Sequence, residues 1–269
     1  MSRFENLIHR TLSRYAVAIL VCAFGLIAAL PASAQTSAPA TQQPTPAKVG
    51  AWPPAVMDSP VFVHGLLDQF EDRTNGSGSS FRWDGEGWLG TDMNRLWIKS
   101  EGFAGNGTVS DGDHEALYDR PIPHMRYFDA QAGLRADVDS DPTRLWFAVG
   151  MEGLAPYLFQ FAPTFYISDG GHMAGRISGA WDLFLTQRLV LQPQAELNFY
   201  SKDDPKRKIG SGFSGIDTGV RLSYQVTRKF NPYIGWAYDG AYGNTARYTR
   251  LSGEATNNST FVFGLRLWY

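Results

Sequence analysis

From residue 61 onward the chain alternates apolar and polar side chains with a period of two, the period of a β-strand. In the stretch 189–200, Leu197 and Phe199 fall on one face while Gln192 and Glu196 fall on the other. The same alternation predicts twelve strands, at 61–70, 80–89, 94–104, 113–120, 127–138, 143–153, 157–167, 172–185, 189–200, 213–226, 230–239 and 258–269. Most have roughly the 9–11 residues that a tilted membrane-spanning strand needs.

The connections between these strands alternate in length. The short ones are 91–93, 121–126, 154–156, 186–188 and 227–229, and the mostly longer ones include 71–79, 105–112, 201–212 and 240–257. This alternation predicts an all-β, antiparallel up-and-down transmembrane barrel of about 12 strands, with short periplasmic turns, longer outer loops and both termini in the periplasm. A soluble β-sandwich is the alternative, but the apolar face recurs without a second apolar set to pack on, which favours lipid as its surroundings.

The last predicted strand has the most regular pattern. Phe261, Phe263, Leu265 and Tyr269 share one face, and the strand closes on an aromatic residue. Such a strand resembles the recognition signal of outer-membrane assembly machinery. A barrel also needs its last strand to pair with its first, because pairing removes the open sheet edges.

The first 34 residues predict a cleaved signal peptide. Three arginines precede an apolar run at 16–30, and an A-x-A cleavage site follows at 32–34. A membrane anchor is the alternative, but the run is shorter than the roughly 20 residues of a spanning helix. A lipoprotein is disfavoured because no small residue precedes Cys22. The sequence therefore predicts export to the outer membrane.

Composition narrows the classes of function. Cys22, the only cysteine, lies in the predicted signal, so the mature chain is expected to lack disulfides and cysteine metal ligands. The net charge of −2 is too small to indicate nucleic acid as a partner. Residues 35–57, rich in Pro, Ala, Thr and Gln, predict a disordered periplasmic leader, and 58–269 the barrel.

Strand parity predicts which charged side chains face the lumen. Nine acids and eight bases fall on inward positions: Arg82, Asp84, Glu86, Arg95, Lys99, Glu101, Asp129, Arg135, Asp137, Arg144, Glu152, Arg176, Asp182, Glu196, Asp217, Arg221 and Arg266. This balance indicates a network of ion pairs that fills the interior. Gln160, Ala162, Ser178 and Ala180 are neutral at inward positions, which predicts a weaker attraction for cations.

No catalytic motif is evident, and the chain is not expected to be an enzyme. Outer-membrane hydrolases resemble one another in an H-x-S pair, whereas His64, His114, His124 and His172 are followed at the second position by Leu, Ala, Arg and Ala. A Ser–His dyad assembled from distant strands stays open as an alternative, since catalytic groups meet by geometry.

Soft metal ligands are the other candidate chemistry. The candidates, all methionine or histidine, are Met57, His64, Met93, His124, Met125 and His172. Thioether and imidazole groups suit copper, and thioether favours Cu(I). His124 is followed by Met125 and His172 by Met173. Neighbouring residues on a strand point to opposite faces, so neither pair can readily bind one metal ion with both side chains. His64 shares parity with Asp68, which can orient an imidazole. Packing and turn formation are the alternative roles of these residues.

Several longer motifs occur in a fixed order between residue 52 and the end of the chain. They are LLDQFEDR at 66–73, WDGEGWLG at 83–90, NRLWIKSEG at 94–102, LYDRPI at 117–122, FDAQAGLR at 128–135, GLAPY at 153–157, LTQRLVLQP at 185–193 and YSKDDP at 200–205. In these motifs the chain resembles the copper resistance protein B family.

This resemblance implies an outer-membrane barrel that binds copper and exports it or sequesters it in the periplasm, beside a periplasmic multicopper oxidase or a copper carrier. In that family a Met- and His-rich N-terminal segment is implied to carry copper. Here residues 35–60 contain Met57 and no histidine. Any copper site is therefore expected on the barrel and its ends, with Met57 and His64 as transient ligands near the periplasmic mouth. The alternative function is a structural or general small-solute barrel.

Overall fold

A computed structural model describes residues 60–75, 78–105, 108–138 and 143–269. The predicted signal peptide, the predicted leader and Met57 lie outside these residues. The strands are β1 (Phe62–Asn75), β2 (Gly78–Gly90), β3 (Arg95–Gly105), β4 (Thr108–Pro121), β5 (Phe128–Asp137), β6 (Arg144–Ala155), β7 (Phe159–Ser168), β8 (Met173–Trp181), β9 (Leu183–Phe184), β10 (Leu189–Tyr200), β11 (Gly212–Tyr224), β12 (Phe230–Ala241) and β13 (Asn257–Trp268).

These strands form one closed antiparallel sheet. Apart from β8 and β9, strands that are neighbours in the chain pair with each other, and β1 also pairs with β13. β8 and β9 pair in succession with β10 and so occupy one position in the wall, which makes the barrel twelve-stranded. Gly65 N donates to Tyr269 O at 3.0 Å and Tyr269 N to Gly65 O at 2.8 Å, so the seam is fully hydrogen-bonded there. The predicted twelve-stranded barrel is confirmed.

The connections sort to two ends of the barrel. The turns that follow β2, β4, β6, β9 and β11 lie at the end where β1 begins and β13 ends, which we name the short-turn end. The opposite end, the long-loop end, holds the remaining connections. One contains the helix α1 (Gly243–Leu251), which packs against β11. Among the described residues no helix is both long and apolar enough to cross a membrane.

Three predicted connections are wrong in their extent. Residues 71–79 and 105–112 were expected to be loops, but β1 and β2 extend through the first and β3 and β4 through much of the second. Both hairpins keep their alternation beyond the apolar stretch, so polar residues there continue the strands. Residues 240–257 contain α1 instead of an irregular loop, and the predicted strand 172–185 is interrupted at Asp182.

The barrel surface follows the period of two. Outward side chains are large, apolar and exposed, as at Leu134, Phe147 and Phe263, which are at least half exposed. Their inward neighbours Trp146 and Val262 are buried. An exposed apolar belt around a closed barrel requires apolar surroundings, as a lipid-facing wall does.

Candidate functional site

The lumen contains a buried cluster centred on Glu71. Its carboxylate accepts hydrogen bonds from Arg73 Nε at 2.8 Å, from Arg221 Nε at 2.8 Å and Nη2 at 2.7 Å, and from Tyr233 Oη at 2.9 Å. Arg73 continues the cluster to Asp217 at 3.1 Å. Glu71 is 0% exposed, so each charge is held by its partners instead of water.

A second cluster crosses the lumen between β8 and the strands β3, β4 and β5. Arg176 donates to Glu101 and, at 2.6 Å, to Asp113. Arg135 also pairs with Asp113, at 2.8 Å, and its guanidinium lies 4.8 Å from the centre of the Tyr166 ring. Strands on different sides of the barrel are thus tied together through side chains, which narrows the interior.

Near the short-turn end the ion pairs are more exposed. Arg95 Nη1 lies 3.0 Å from Asp129 Oδ2, and Lys99 donates to Glu152. Arg266 Nε lies 2.7 Å from Asp68 Oδ1. Each of the seventeen side chains predicted to face inward takes part in these pairs or lines the lumen cavity, so the predicted network is confirmed.

A cavity of about 470 Å³ remains between these clusters. Three bases line it: Arg82, Lys99 and Arg176. Eleven acids line it: Asp68, Asp84, Glu86, Glu101, Asp113, Glu115, Asp119, Asp129, Glu152, Glu196 and Asp217. The lining therefore has more acids than bases, although the lumen was predicted to be balanced. Several of these acids pair with arginines outside the lining, namely Arg73, Arg95, Arg135 and Arg266. The excess of acids arises because Asp68, Asp113, Glu115 and Asp119 also face inward.

The opposite cavity wall is neutral and small. Gln160, Ala162, Ser178 and Ala180, on β7 and β8, line the cavity as their parity predicts. Their short side chains leave volume beside the acidic wall, which includes Asp84 and the residues around it on β1–β5. The neutral residues therefore create the space that the acids face, and their expected effect on cation attraction stays a prediction.

Two carboxylates in the cavity lack a close positively charged partner. Asp84 accepts one hydrogen bond from Gln69 Nε2 at 3.3 Å. Glu86 lies 4.0 Å from Lys99 Nζ, which is closer to Glu152. A positive charge that enters the cavity therefore finds carboxylates that are not already occupied by a close guanidinium group.

The predicted metal residues lie at both ends of the barrel. His64 faces inward at the short-turn end, with its ring centre 5.9 Å from that of Trp88 and 5.6 Å from that of Trp268. Asp68 pairs with Arg266 and not with His64, because residues four apart on one strand are separated by roughly 13 Å. The predicted His64–Asp68 contact is therefore wrong.

The other predicted ligands are exposed or distant. Met93 lies on the turn after β2, and His124 and Met125 lie on the turn after β4, so these three share the short-turn end with His64. His172 lies at the long-loop end. Within the described residues, no group of three or more His, Cys, Asp or Glu side chains has the arrangement of a metal site.

A Ser–His pair occurs on the outward face of the wall. His114 Nδ1 lies 2.9 Å from Ser100 Oγ, which accepts a hydrogen bond from Trp83 Nε1 at 3.1 Å. Ser100 is 4% exposed, and the Trp83 ring lies over Gly102. The distance required of a dyad is met, but the hydroxyl is enclosed by its two partners. The arrangement satisfies polar groups on a wall that faces no water.

We expect Ser100→Ala to lower the free energy of unfolding by about 1–3 kcal/mol, because Trp83 and His114 lose their shared partner. Urea unfolding followed by tryptophan fluorescence measures this loss. Ser178→Ala is the matched control, since the Ser178 hydroxyl donates to the backbone oxygen of Ala162. Equal losses in the two variants would show that the Ser100 hydrogen bonds to Trp83 and His114 stabilise the barrel no more than the single bond of Ser178.

The inward acids that parity missed had a detectable signal. In β4, Asp113, Glu115 and Asp119 alternate with His114 and Tyr118, and the structure places the three acids inside. The Glu71 cluster was hidden because residues 71–79 were interpreted as a loop. Asp68 shares the parity of His64 and Leu66, so the same alternation indicated that it faces inward.

The fold and lumen define a transmembrane-type β-barrel with an ion-paired, acidic interior. The family model described as "Copper resistance protein B precursor (CopB)" matches residues 61–269. The chain is 38% identical over 215 residues to copper resistance protein B of Escherichia coli, covering 80% of this chain and 72% of that protein. It is also 38% identical over 214 residues to a copper resistance protein B homolog of Pseudomonas syringae pv. tomato, with the same coverages.

The chain therefore belongs to the copper resistance protein B family, and its role is in copper resistance. Among solved structures, the NanC porin has a TM-score of 0.48 at 13% identity, covering 77% of this chain and 99% of that chain. The KdgM porin has a TM-score of 0.43 at 10% identity, with the same coverages.

Proposed function

We propose that this barrel resides in the outer membrane and binds or passes copper ions there. The apolar belt supports insertion into lipid, and the predicted signal peptide supports export. In this orientation the short-turn end faces the periplasm and the long-loop end faces the outside.

The observation that carries the proposal is the acidic cavity, in which eleven carboxylates face three bases. Carboxylates in a narrow lumen concentrate cations and exclude anions. Oxygen ligands suit a hydrated or divalent cation better than Cu(I), which prefers sulfur. Copper is the cargo here, guided by the cavity and held transiently elsewhere.

Copper tolerance of a deletion strain tests the function. Loss of the chain is expected to reduce growth on copper, and the plasmid-borne chain is expected to restore it. Copper in the periplasmic fraction then separates the two modes. Accumulation in the deletion strain supports efflux, whereas a decrease supports sequestration. Unchanged growth of a strain shown to express the barrel before deletion would remove copper from its function.

Copper titration of the purified protein tests the proposed ligands. We expect Met57→Leu combined with His64→Ala to weaken binding about tenfold, because thioether and imidazole groups are its soft donors at the periplasmic mouth. Met173→Leu is the control, because Met173 is an exposed residue at the other end. Identical titrations of the double variant and wild type would exclude these two ligands.

A structural or general small-solute barrel is the second candidate, and the ion pairs that cross the lumen favour it. Such a barrel is expected to leave copper tolerance unchanged on deletion while its loss alters permeability to other solutes. We infer no catalytic role, because Ser100 is enclosed. A periplasmic multicopper oxidase or copper carrier is the proposed partner at the short-turn end.

A further inference from the structure

The connection between β10 and β11, residues 201–211, leaves its own side of the barrel and reaches the opposite side of the long-loop mouth. We name this segment the strap. Its charged side chains contact the ends of β5 and β6. In the twelve-membered wall β6 stands three positions from β10 and four from β11, and β5 stands one position further, so the strap crosses much of the mouth.

Two ion pairs fix the strap to the far wall. Arg144 Nη2, at the start of β6, donates to Asp204 Oδ2 at 2.8 Å. Arg207 Nη1 lies 3.7 Å from Asp137 Oδ2 at the end of β5. The four side chains are 16%, 13%, 10% and 12% exposed, so the contacts lie beneath the strap and not on its outer surface.

The far-wall contact stands on a rigid support. Asp137 also pairs with Arg135 Nε at 2.7 Å and accepts from Trp146 Nε1 at 2.7 Å. Within the strap, Asp204 and Ile209 exchange backbone hydrogen bonds of 2.7 and 3.0 Å. The strap is therefore a hydrogen-bonded segment with a defined conformation, held against the far wall.

The near side is fixed by α1 and by the end of the strap itself. Asp203 accepts from Ser211 N at 2.6 Å and from Asn244 Nδ2 at 3.2 Å, and these bonds hold the pKa of Asp203 below its usual value. Gly210 N donates to Thr245 Oγ1 at 2.8 Å. The near anchor thus combines hydrogen bonds with the exposed Lys208–Glu254 ion pair, whereas the far anchor consists of the two ion pairs across the mouth. Because the strap is continuous with β10 and β11 on the near side, release of the far contacts leaves the near side attached.

We propose that the strap is a gate that closes the lumen to the outside and opens by release of its far anchor, the Asp204 and Arg207 ion pairs. This inference rests on the proposed orientation of the barrel, with the long-loop end outward. The near anchor remains as the hinge. Passage to the acidic cavity from outside is then controlled by residues that line no part of that cavity.

Access of a thiol reagent to the cavity tests the gate without copper. Ser178 lines the cavity, so Ser178→Cys in a Cys22→Ser background places one thiol inside. Intact cells expressing this full-length chain are treated with a membrane-impermeant maleimide. We expect Asp204→Asn with Arg207→Gln to increase the labelling rate about tenfold, the effect of roughly 1.4 kcal/mol on gate opening.

The matched control is Lys206→Gln, which removes one positive charge from an exposed position of the strap. It is expected to label at the wild-type rate. Labelling of each purified variant in detergent, where both mouths are accessible, shows that the thiol reacts and the barrel has folded. Arg144→Gln removes only the Arg144–Asp204 ion pair and is expected to increase the labelling rate by a smaller factor. Equal labelling rates on cells for all variants, with equal rates in detergent, would overturn the gate. A labelling increase without any copper phenotype would retain the gate and remove the copper function.

Discussion

Glu71→Ala is expected to lower the free energy of unfolding by about 3–5 kcal/mol, because it leaves buried guanidinium groups without their carboxylate. Glu71 is the only carboxylate partner of Arg221 in the described ion pairs, and both side chains are at most 2% exposed. Arg73 loses one of its partners as well. Urea unfolding of the barrel in lipid vesicles, followed by tryptophan fluorescence, measures the change.

Glu254→Ala is the comparison for this variant. Glu254 pairs with Lys208 at 2.6 Å, but the two side chains are 57% and 43% exposed. A solvated pair of this kind contributes at most about 1 kcal/mol. Glu71→Gln is expected to fall between the two variants, because the amide keeps some hydrogen bonds and loses the charge. Similar stabilities for Glu71→Ala and Glu254→Ala would mean that water enters the cluster.

Neutralising Asp84 and Glu86 together is expected to reduce the preference of the barrel for cations over anions about tenfold. These two carboxylates line the cavity and lack a close positively charged partner, so their charge acts on a passing ion. Reversal potentials in planar bilayers under a salt gradient measure the preference for Asp84→Asn with Glu86→Gln. Copper tolerance conferred by the same variant is expected to fall with it.

Asp169→Asn with Glu254→Gln removes the same charge from exposed positions at the long-loop end. This control is expected to keep the wild-type reversal potential. Lys99→Gln is expected to shift it in the opposite direction, toward stronger cation preference. If the cavity variant and the exposed control behave alike, the cavity does not determine which ions pass.

Strand positions were predictable because lipid and lumen impose opposite demands on adjacent residues. The prediction 189–200 coincides with β10, and the short turns at 186–188 and 227–229 lie between the strands as expected. A shift of one residue would turn every side chain of a strand to the other face. The apolar positions therefore also determine which charged residues face inward. Belonging to the copper resistance protein B family was likewise predictable, because several long motifs follow in order.

The features that the sequence did not reveal depend on side chains that meet across the barrel. The bulge beside Asp68 adds one residue to a strand without changing its composition. The strap contacts β5 and β6 through residues about 60 positions apart, as in the pair Arg144 and Asp204. The Ser100 and His114 contact arises from strand register, which H-x-S spacing does not describe. The candidate metal ligands stay predictions, since their role depends on copper itself.

The neutral cavity wall on β7 and β8 has a consequence for how such a barrel can diverge. The width of the cavity beside that wall depends on residues such as Ala162 and Ala180, whereas its charge depends on residues such as Asp84 on the facing wall. A substitution on one wall therefore leaves the other property intact. Cargo size and cargo charge are separately adjustable, and each is within reach of a single mutation.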